Sequence, residues 1–222
     1  MEKDLSRFTE AQQGSYEHAL REIRNGQKQS CWMWYIFPQI QGLGMSETAR
    51  YYAIEDIEEA KAFLADPVLG ARLREITEAA LETKSDDALA VFGYPDNLKF
   101  CSSMTLFALT DGKNPIFYRA LQKFFGGRLD EKTVRLLRMD YTVKEIEDPD
   151  FGCEGRPDGA VPMATLFLTA AGDGDSFSET VAGHSSVPAN LRLQVPDAYL
   201  YQNGIIEGSR VAVSADGVVY KL

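Results

Sequence analysis

Two tryptophans stand within three residues of one another in Cys31-Trp-Met-Trp-Tyr-Ile-Phe-Pro-Gln-Ile40, where four of ten positions are aromatic. A stretch this apolar is either buried or covers something. If it covers a ligand, Trp32, Trp34 and Tyr35 would wall a hollow that stacks a planar base. Arg50, Arg72 and Lys99 would then hold a phosphate, because a guanidinium matches phosphate oxygens two at a time. If it is buried, the spacing 32, 35, 36 turns one helix face inward and the indole N–H groups find oxygen acceptors. The core reading weighs more for Trp32 than for Trp34, which lies on the other side of the turn. Gln39, Gly42 and Gly44 follow in a segment without hydrophobic pattern. Glycines there would let the backbone approach a ligand, or would simply make a tight connection at positive φ.

Glu47 is the candidate catalytic carboxylate. Cleavage of a glycosidic bond passes through an oxocarbenium-like state, which a carboxylate stabilises or serves by activating water. The plainer account is an exposed helix-start glutamate behind Ser46 as N-cap. Lys99, Ser102, Ser103 and Thr105 make a polar cluster in an otherwise apolar helix. Lys99 and Ser102, one turn apart, would face an anionic ligand or, at the extreme, form a Ser–Lys nucleophile pair. Close helix contact through small side chains is the simpler account. Cys31, Cys101 and Cys153 read as inert small hydrophobes. The acidic loop 147–158 lacks the glycine and closing glutamate of an EF-hand, so it reads as a solvated face rather than a calcium site.

These groups sit in a chain of 222 residues with ordinary globular composition, 45% apolar and 25% charged. Three separated cysteines and two histidines, His18 and His184, give no disulfide framework and no zinc-ligand spacing, and no cofactor is called for. No apolar run is long enough for a transmembrane helix and no signal-peptide stretch is present, so a cytoplasmic protein is expected. A net charge of −10 argues against a nucleic-acid partner. The charge is uneven: residues 1–140 carry 18 Lys/Arg against 21 Asp/Glu, and residues 141–222 carry 5 against 12. That shift marks two regions.

The first region reads as short helices. Apolar positions recur at helical spacing from Phe8 to Ile23, with Asn25-Gly26 as the stop. A helix covers 55–65, and Asp66-Pro67 and Asn114-Pro115 each pair a cap with a proline at the start of the next helix. Ser85 would cap a short helix ending at Gly93, Pro95 opens another through Leu109, Gly126-Gly127 end the stripe of Phe117, Leu121 and Phe124, and Asp130 caps a last helix. Residues 36–50 read as an irregular loop. Beyond Asp140 the pattern becomes β, with strands at 141–147, 161–171, 191–195, 210–213 and 218–222, and at most one short helix at 197–203. The expected class is α+β: a multihelical domain over 1–139 and a small, mostly β, acidic domain over 140–222.

The helical region resembles the domain of unknown function (DUF) 1810 family. The carrying residues are Arg7-Phe8 with Ala11-Gln12, Trp32-Met-Trp34, Phe37-Pro38-Gln39, Gly42-Leu43-Gly44, Pro67 to Leu73, Leu98-Lys99, Ser102 to Phe107, and Phe124 to Gly127. The resemblance implies a compact multihelical fold and no known activity. Family members often have a histidine before the Trp-Met-Trp run and another before Pro-x-Leu-Gly, where this chain has Cys31 and Asp66. Ser46-Glu47, Tyr51-Tyr52, Pro67 and Arg72 are ordered as in the NADAR family, which acts on ADP-ribose derivatives; this likeness adds Tyr51 to the candidate ligand contacts. Residues 191–222 resemble half of an AbrB-type swapped hairpin in shape, but are acidic where a DNA reader is basic. Together these imply a small-molecule anionic ligand, of nucleotide or ADP-ribose type, in the helical domain, with N-glycosidic hydrolysis by Glu47 as the most concrete reaction. The alternative is a non-enzymatic interaction module whose β domain makes a homodimer or binds a partner.

Overall fold

The computed structural model describes residues 3–148, 159, 161–171 and 188–222; Cys153, His184 and most of the acidic loop lie outside the described residues. The chain divides into two compact units, Met1–Leu137 with Ser214–Val218, and Arg138–Val213 with Val219–Leu222. The class is α+β, as the change of pattern near Asp140 implies.

The helical unit begins with α1 (Ser6–Gln12) and α2 (Tyr16–Arg24). The apolar spacing predicted one helix here, but the chain breaks at 13–15 around Gly14, a residue that weakens any helix interior. A single turn, α3 (Met33–Ile36), carries the aromatic run, and α4 (Glu47–Tyr51) ends the segment expected to be loop. Next come α5 (Ile57–Ala65) and α6 (Leu69–Glu82), and the Asp66 carboxylate accepts the Val68 and Leu69 N–H groups at the join. The cap of α7 (Ala88–Phe92) is Asp87, which takes the Leu89 N–H, and not Ser85. Asn114 caps the start of α9 (Ile116–Phe125) after α8 (Asp96–Thr110), and Gly126 closes α9 in the left-handed conformation that glycine adopts without penalty. Asp130 caps α10 (Glu131–Leu137). These short helices bury phenylalanines against one another: Phe8 meets Phe63 edge-on at 5.1 Å, Phe37 meets Phe100 at 4.9 Å, and Phe92 stacks on Phe100 at 4.1 Å.

The second unit is a five-stranded antiparallel sheet of order β3-β2-β1-β4-β5, with β1 Asp140–Glu147, β2 Met163–Ala170, β3 Asn190–Pro196, β4 Arg210–Val213 and β5 Val219–Lys221. A six-residue helix, α11 (Asp197–Gln202), follows β3. Its Leu200 packs with Tyr141, Val143, Leu166, Leu168 and Val211 in that unit's own core. A bulge between Val143 and Glu145 shifts the β1–β2 register. Among the described residues no helix is long and apolar enough to cross a membrane.

Candidate functional site

The aromatic run is held from beneath by one buried carboxylate. Glu22 on α2 accepts the Gln29 N–H at 2.7 Å, the Ser30 N–H at 3.1 Å, the Ser30 hydroxyl at 2.6 Å and the Trp32 indole N–H at 2.8 Å. His18 Nε2, one turn back, lies 3.0 Å from the same carboxylate. Burial alone pushes the Glu22 carboxyl up; the bonds from Ser30, Gln29 and Trp32 outweigh it and bring it down to about 2. This fixes the loop that enters α3. Within α3, Met33 and Ile36 point into the core and Phe37 follows them, while Trp34 and Tyr35 remain half-buried at the surface.

On one side of α3 lies a chain of charges. The Lys28 ammonium sits 5.1 Å over the Trp32 ring, donates to the Ser30 carbonyl, and pairs with Asp96 at 2.6 Å. Asp96 also receives Lys99 at 2.8 Å, and the Lys99 ammonium rests 4.5 Å over the Trp34 ring. Burial raises the Asp96 carboxyl, and the two lysines more than reverse this, holding it below the usual carboxylate range.

On the other side, the buried Gln12 of α1 donates to the Tyr35 carbonyl at 2.8 Å, and its amide oxygen lies 3.5 Å from a guanidinium nitrogen of Arg72. The Arg72 guanidinium sits over the Tyr16 ring, 4.8 Å from its centre. It is half-buried, and no carboxylate pairs with it among the described residues. Tyr16 donates to the Arg72 carbonyl and to Glu75; burial, with Glu75 beside it, drives its phenol well above the ordinary value.

The predicted site residues therefore separate. Trp34 and Lys99 meet directly, and Arg72 joins them through Gln12 and the backbone of Tyr35. Trp32 is a correction: at 1% exposure, with its N–H spent on Glu22, it offers no surface to a ligand. Ser102 is a second. It is buried, its hydroxyl donates to Asp130 at 2.8 Å, and Asp130 also gathers the Thr133 hydroxyl and donates its own N–H to Thr105. Ser102 and Thr105 of α8 thus anchor the α10 cap, and Ser102 and Lys99 serve different carboxylates. Cys31 is exposed, and burial pushes the Cys101 thiol up to about 12.

Gln39 bonds through its backbone, accepting the Ile54 N–H at 2.8 Å, while the Gln41 N–H returns to Ile54. Gly42 has φ +99°, and a side chain there would press on Leu136. A Cβ on Gly44 would lie 2.3 Å from the Ala49 Cβ, so packing against α4 requires that glycine. Glu47 and Arg50 are exposed on α4, with Ser46 as N-cap accepting the Ala49 N–H, and Tyr51 is 58% exposed. A cavity of about 840 Å³ opens elsewhere in the unit, lined by Lys3, Asp4, Thr9, Glu58 and Pro67, and includes none of these residues. Among the described residues no cluster of His, Cys, Asp and Glu could hold a metal.

Glu22, Lys28 and Asp96 were not singled out from sequence, and Gln12 entered only as a residue that carries the family resemblance. The Asp96–Lys99 spacing on one helix was a readable signal for an ion pair. A glutamate buried beneath a loop that follows it left none.

Comparison with known proteins agrees with this architecture. Residues 2–137 match the family described as "Protein of unknown function (DUF1810)". The crystal structure of a conserved hypothetical protein from Mycobacterium tuberculosis is similar at 45% identity and TM-score 0.59, over 60% of this chain and 96% of that one. No curated protein matches the sequence. With the family match spanning more than half of its length, the chain belongs to the DUF1810 family.

Proposed function

We propose that the helical unit binds a small anionic ligand with a planar group, of the nucleotide or ADP-ribose class, across the outer side of α3. The observation that carries this reading is Arg72. A half-buried guanidinium is normally matched by a carboxylate, and this one has an amide, an aromatic face and no carboxylate among the described residues. Its orientation is set before any ligand arrives, which favours recognition of an oxyanion. Trp34 and Tyr35 supply the half-buried aromatic surface for the planar group. Lys99 is a weaker anion partner than its charge suggests, because Asp96 already holds it. A hydrolytic step would fall to Glu47, and Glu47→Gln would then abolish turnover of an ADP-ribose glycosidic bond while leaving the fold intact. Both cysteines among the described residues are free, which suits a cytoplasmic setting.

The test is thermal denaturation with AMP, ADP-ribose and inorganic phosphate. At a hundredfold excess over Kd a ligand adds about 2.7 kcal/mol, a rise of roughly 5–10 °C for a unit of this size. Arg72→Gln should remove the rise and Trp34→Ala should reduce it for AMP and ADP-ribose but not for phosphate. A rise unchanged in Arg72→Gln, or none with any compound, defeats the proposal. The second reading, an interaction module, draws on Leu89 of α7, Tyr94 in the turn after it and Leu98 of α8, large apolar side chains at least half-exposed. It predicts self-association by sedimentation; if the β unit makes the dimer, deleting 140–222 abolishes it.

A further inference from the structure

The sheet of the second unit ends in two unlike edges. β5 is three residues long, and a short edge strand is a common guard against strand addition. β3 runs for seven residues and keeps one unbroken register with β2, from Met163 opposite Pro196 to Thr169 opposite Asn190. Two bonds beyond the ends of that ladder fix which groups it uses: the Ala170 N–H donates to the Ala189 carbonyl and the Asp197 N–H to the Pro162 carbonyl, both at 2.9 Å. Antiparallel bonding alternates along a strand, so Leu191, Leu193 and Val195 bond to β2. The main-chain groups of Asn190, Arg192, Gln194 and Pro196 therefore turn outward. Nothing takes them among the described residues, and all four residues are exposed. α11 does not screen them, because it lies across the apolar face of the sheet, where the Tyr199 hydroxyl donates to the Val219 carbonyl of β5 at the opposite edge. The apolar layer is open at the same place: Leu191 and Leu193 pack on the core of the unit yet stay only half-buried. β3 also carries no carboxylate, although residues 141–222 hold 12 Asp/Glu against 5 Lys/Arg.

We propose that β3 pairs antiparallel with β3 of a second copy of this chain, about a two-fold axis at Leu193. In that register the N–H groups of Asn190, Arg192 and Gln194 donate to the carbonyls of the partner's Pro196, the partner's Gln194 and the partner's Arg192, and the symmetry returns the same bonds. Pro196, which has no N–H to give, falls at the end of the ladder, where it is needed only as an acceptor. Side chains alternate in the same step. Leu193 meets the partner's Leu193 and Leu191 meets the partner's Val195, which continues the apolar layer from one sheet into the next. On the other face Arg192 stands beside the partner's Gln194, so no like charges oppose. Moving the axis to Arg192 would set two guanidinium groups opposite each other, and moving it to Gln194 would leave the Asn190 N–H unpaired. The proposal rests on the second reading above, whose surface it names, and it is independent of Arg72, which belongs to the other unit.

The test is sedimentation equilibrium of the full chain from about 5 μM to about 0.5 mM, where a small interface gives a measurable equilibrium. The wild-type chain should pass from the mass of one chain to that of two, with Kd on the order of 10–200 μM. Gln194→Pro removes an outward N–H and none that β2 uses, so the fold should survive, read as an unchanged urea midpoint. It should weaken association by about tenfold or more. Leu193→Cys, treated with oxidised glutathione, should give a covalent dimer, because the axis brings the two copies of that position to about 4.5 Å between Cα atoms. Arg192→Cys, which faces the partner's Gln194, should cross-link no faster than the wild-type chain with its three native cysteines. If Gln194→Pro lowers the urea midpoint, the cysteine variants decide. Association unchanged in a folded Gln194→Pro protein, or Arg192→Cys cross-linking as fast as Leu193→Cys, overturns the proposal and leaves the second reading to Leu89, Tyr94 and Leu98. A chain that stays monomeric at about 0.5 mM defeats both, and would mean that any strand added at β3 comes from another protein.

Discussion

Replacing Glu22 by Gln asks whether one buried carboxylate sets the whole aromatic segment. A carboxyl that stands at about 2 in the fold and at 4.5 when unperturbed links about 3 kcal/mol to folding, at about 1.36 kcal/mol per pH unit. The sign follows from the depression. The unfolded chain takes up the proton first, so the contribution is complete above about pH 4.5 and is lost as pH falls towards 2. Glutamine keeps the shape but presents an NH₂ to a ring of donors made by Gln29, Ser30 and Trp32, so at least one buried N–H loses its acceptor. The expected loss at pH 7 is about 3 kcal/mol, a large part of a domain's stability. Urea denaturation should be followed by tryptophan fluorescence, because both tryptophans lie in this segment and the signal reports the helical unit alone. A chain of two units need not unfold in one step. The reference protein and the Glu22→Gln variant should both carry His18→Gln, so that no imidazole lies beside position 22. Asp56 and Asp96, also held below their usual range, titrate in both proteins and cancel in the difference. The difference should be flat above pH 5 and close progressively below it. A loss under about 1 kcal/mol at pH 7, or a gap that persists undiminished at pH 2.5, refutes the assignment.

Two smaller perturbations separate packing from ligand roles. The Lys123 ammonium donates to the carbonyls of Ala80, Leu81 and Thr83 where α6 ends, and its burial lowers the lysine below its usual value. Lys123→Met should cost about 2–3 kcal/mol by leaving those acceptors to water alone, read as a fall in the denaturation midpoint; a change under about 0.5 kcal/mol would show that the cap is dispensable. Gly44→Ala should cost about 1–3 kcal/mol through its clash with Ala49, and adding Ala49→Gly should restore most of it. If stability returns in the double variant but ligand binding does not, the glycine has a ligand role besides its packing one.

What could be read from the sequence was what short-range chemistry decides. Asp66-Pro67, Asn114-Pro115, Gly126 and Asp130 mark helix ends because capping involves residues two or three apart. Where two local signals compete, the nearer one won: Asp87 rather than Ser85 caps α7, as it lies directly before the first helical residue. The break after α1 was hidden because helical spacing runs on through Gly14. Site residues were legible as types and not as partners. Trp34, Arg72 and Lys99 were visible as stacking or charged groups, but Asp96 neutralises Lys99 while Arg72 goes without a carboxylate among the described residues, and only the fold distinguishes them. Ser102 looked exceptional in an apolar helix because its partner, Asp130, is 28 residues away.

The position of α3 couples stability to recognition. A single helical turn cannot hold itself, since one or two hydrogen bonds do not repay the ordering of its residues. It persists because Met33, Ile36 and Phe37 are buried below it, Glu22 fixes its entry, and Gln12 takes the Tyr35 carbonyl. The same Gln12 touches Arg72, and the same turn carries Trp34 against Lys99. A perturbation at Glu22 that leaves the unit folded should therefore still displace Trp34 and Tyr35 and weaken anion binding, with no contact to the ligand. Binding that survives intact in a destabilised Glu22→Gln protein would mean that Arg72 acts alone and that the aromatic turn is only part of the core.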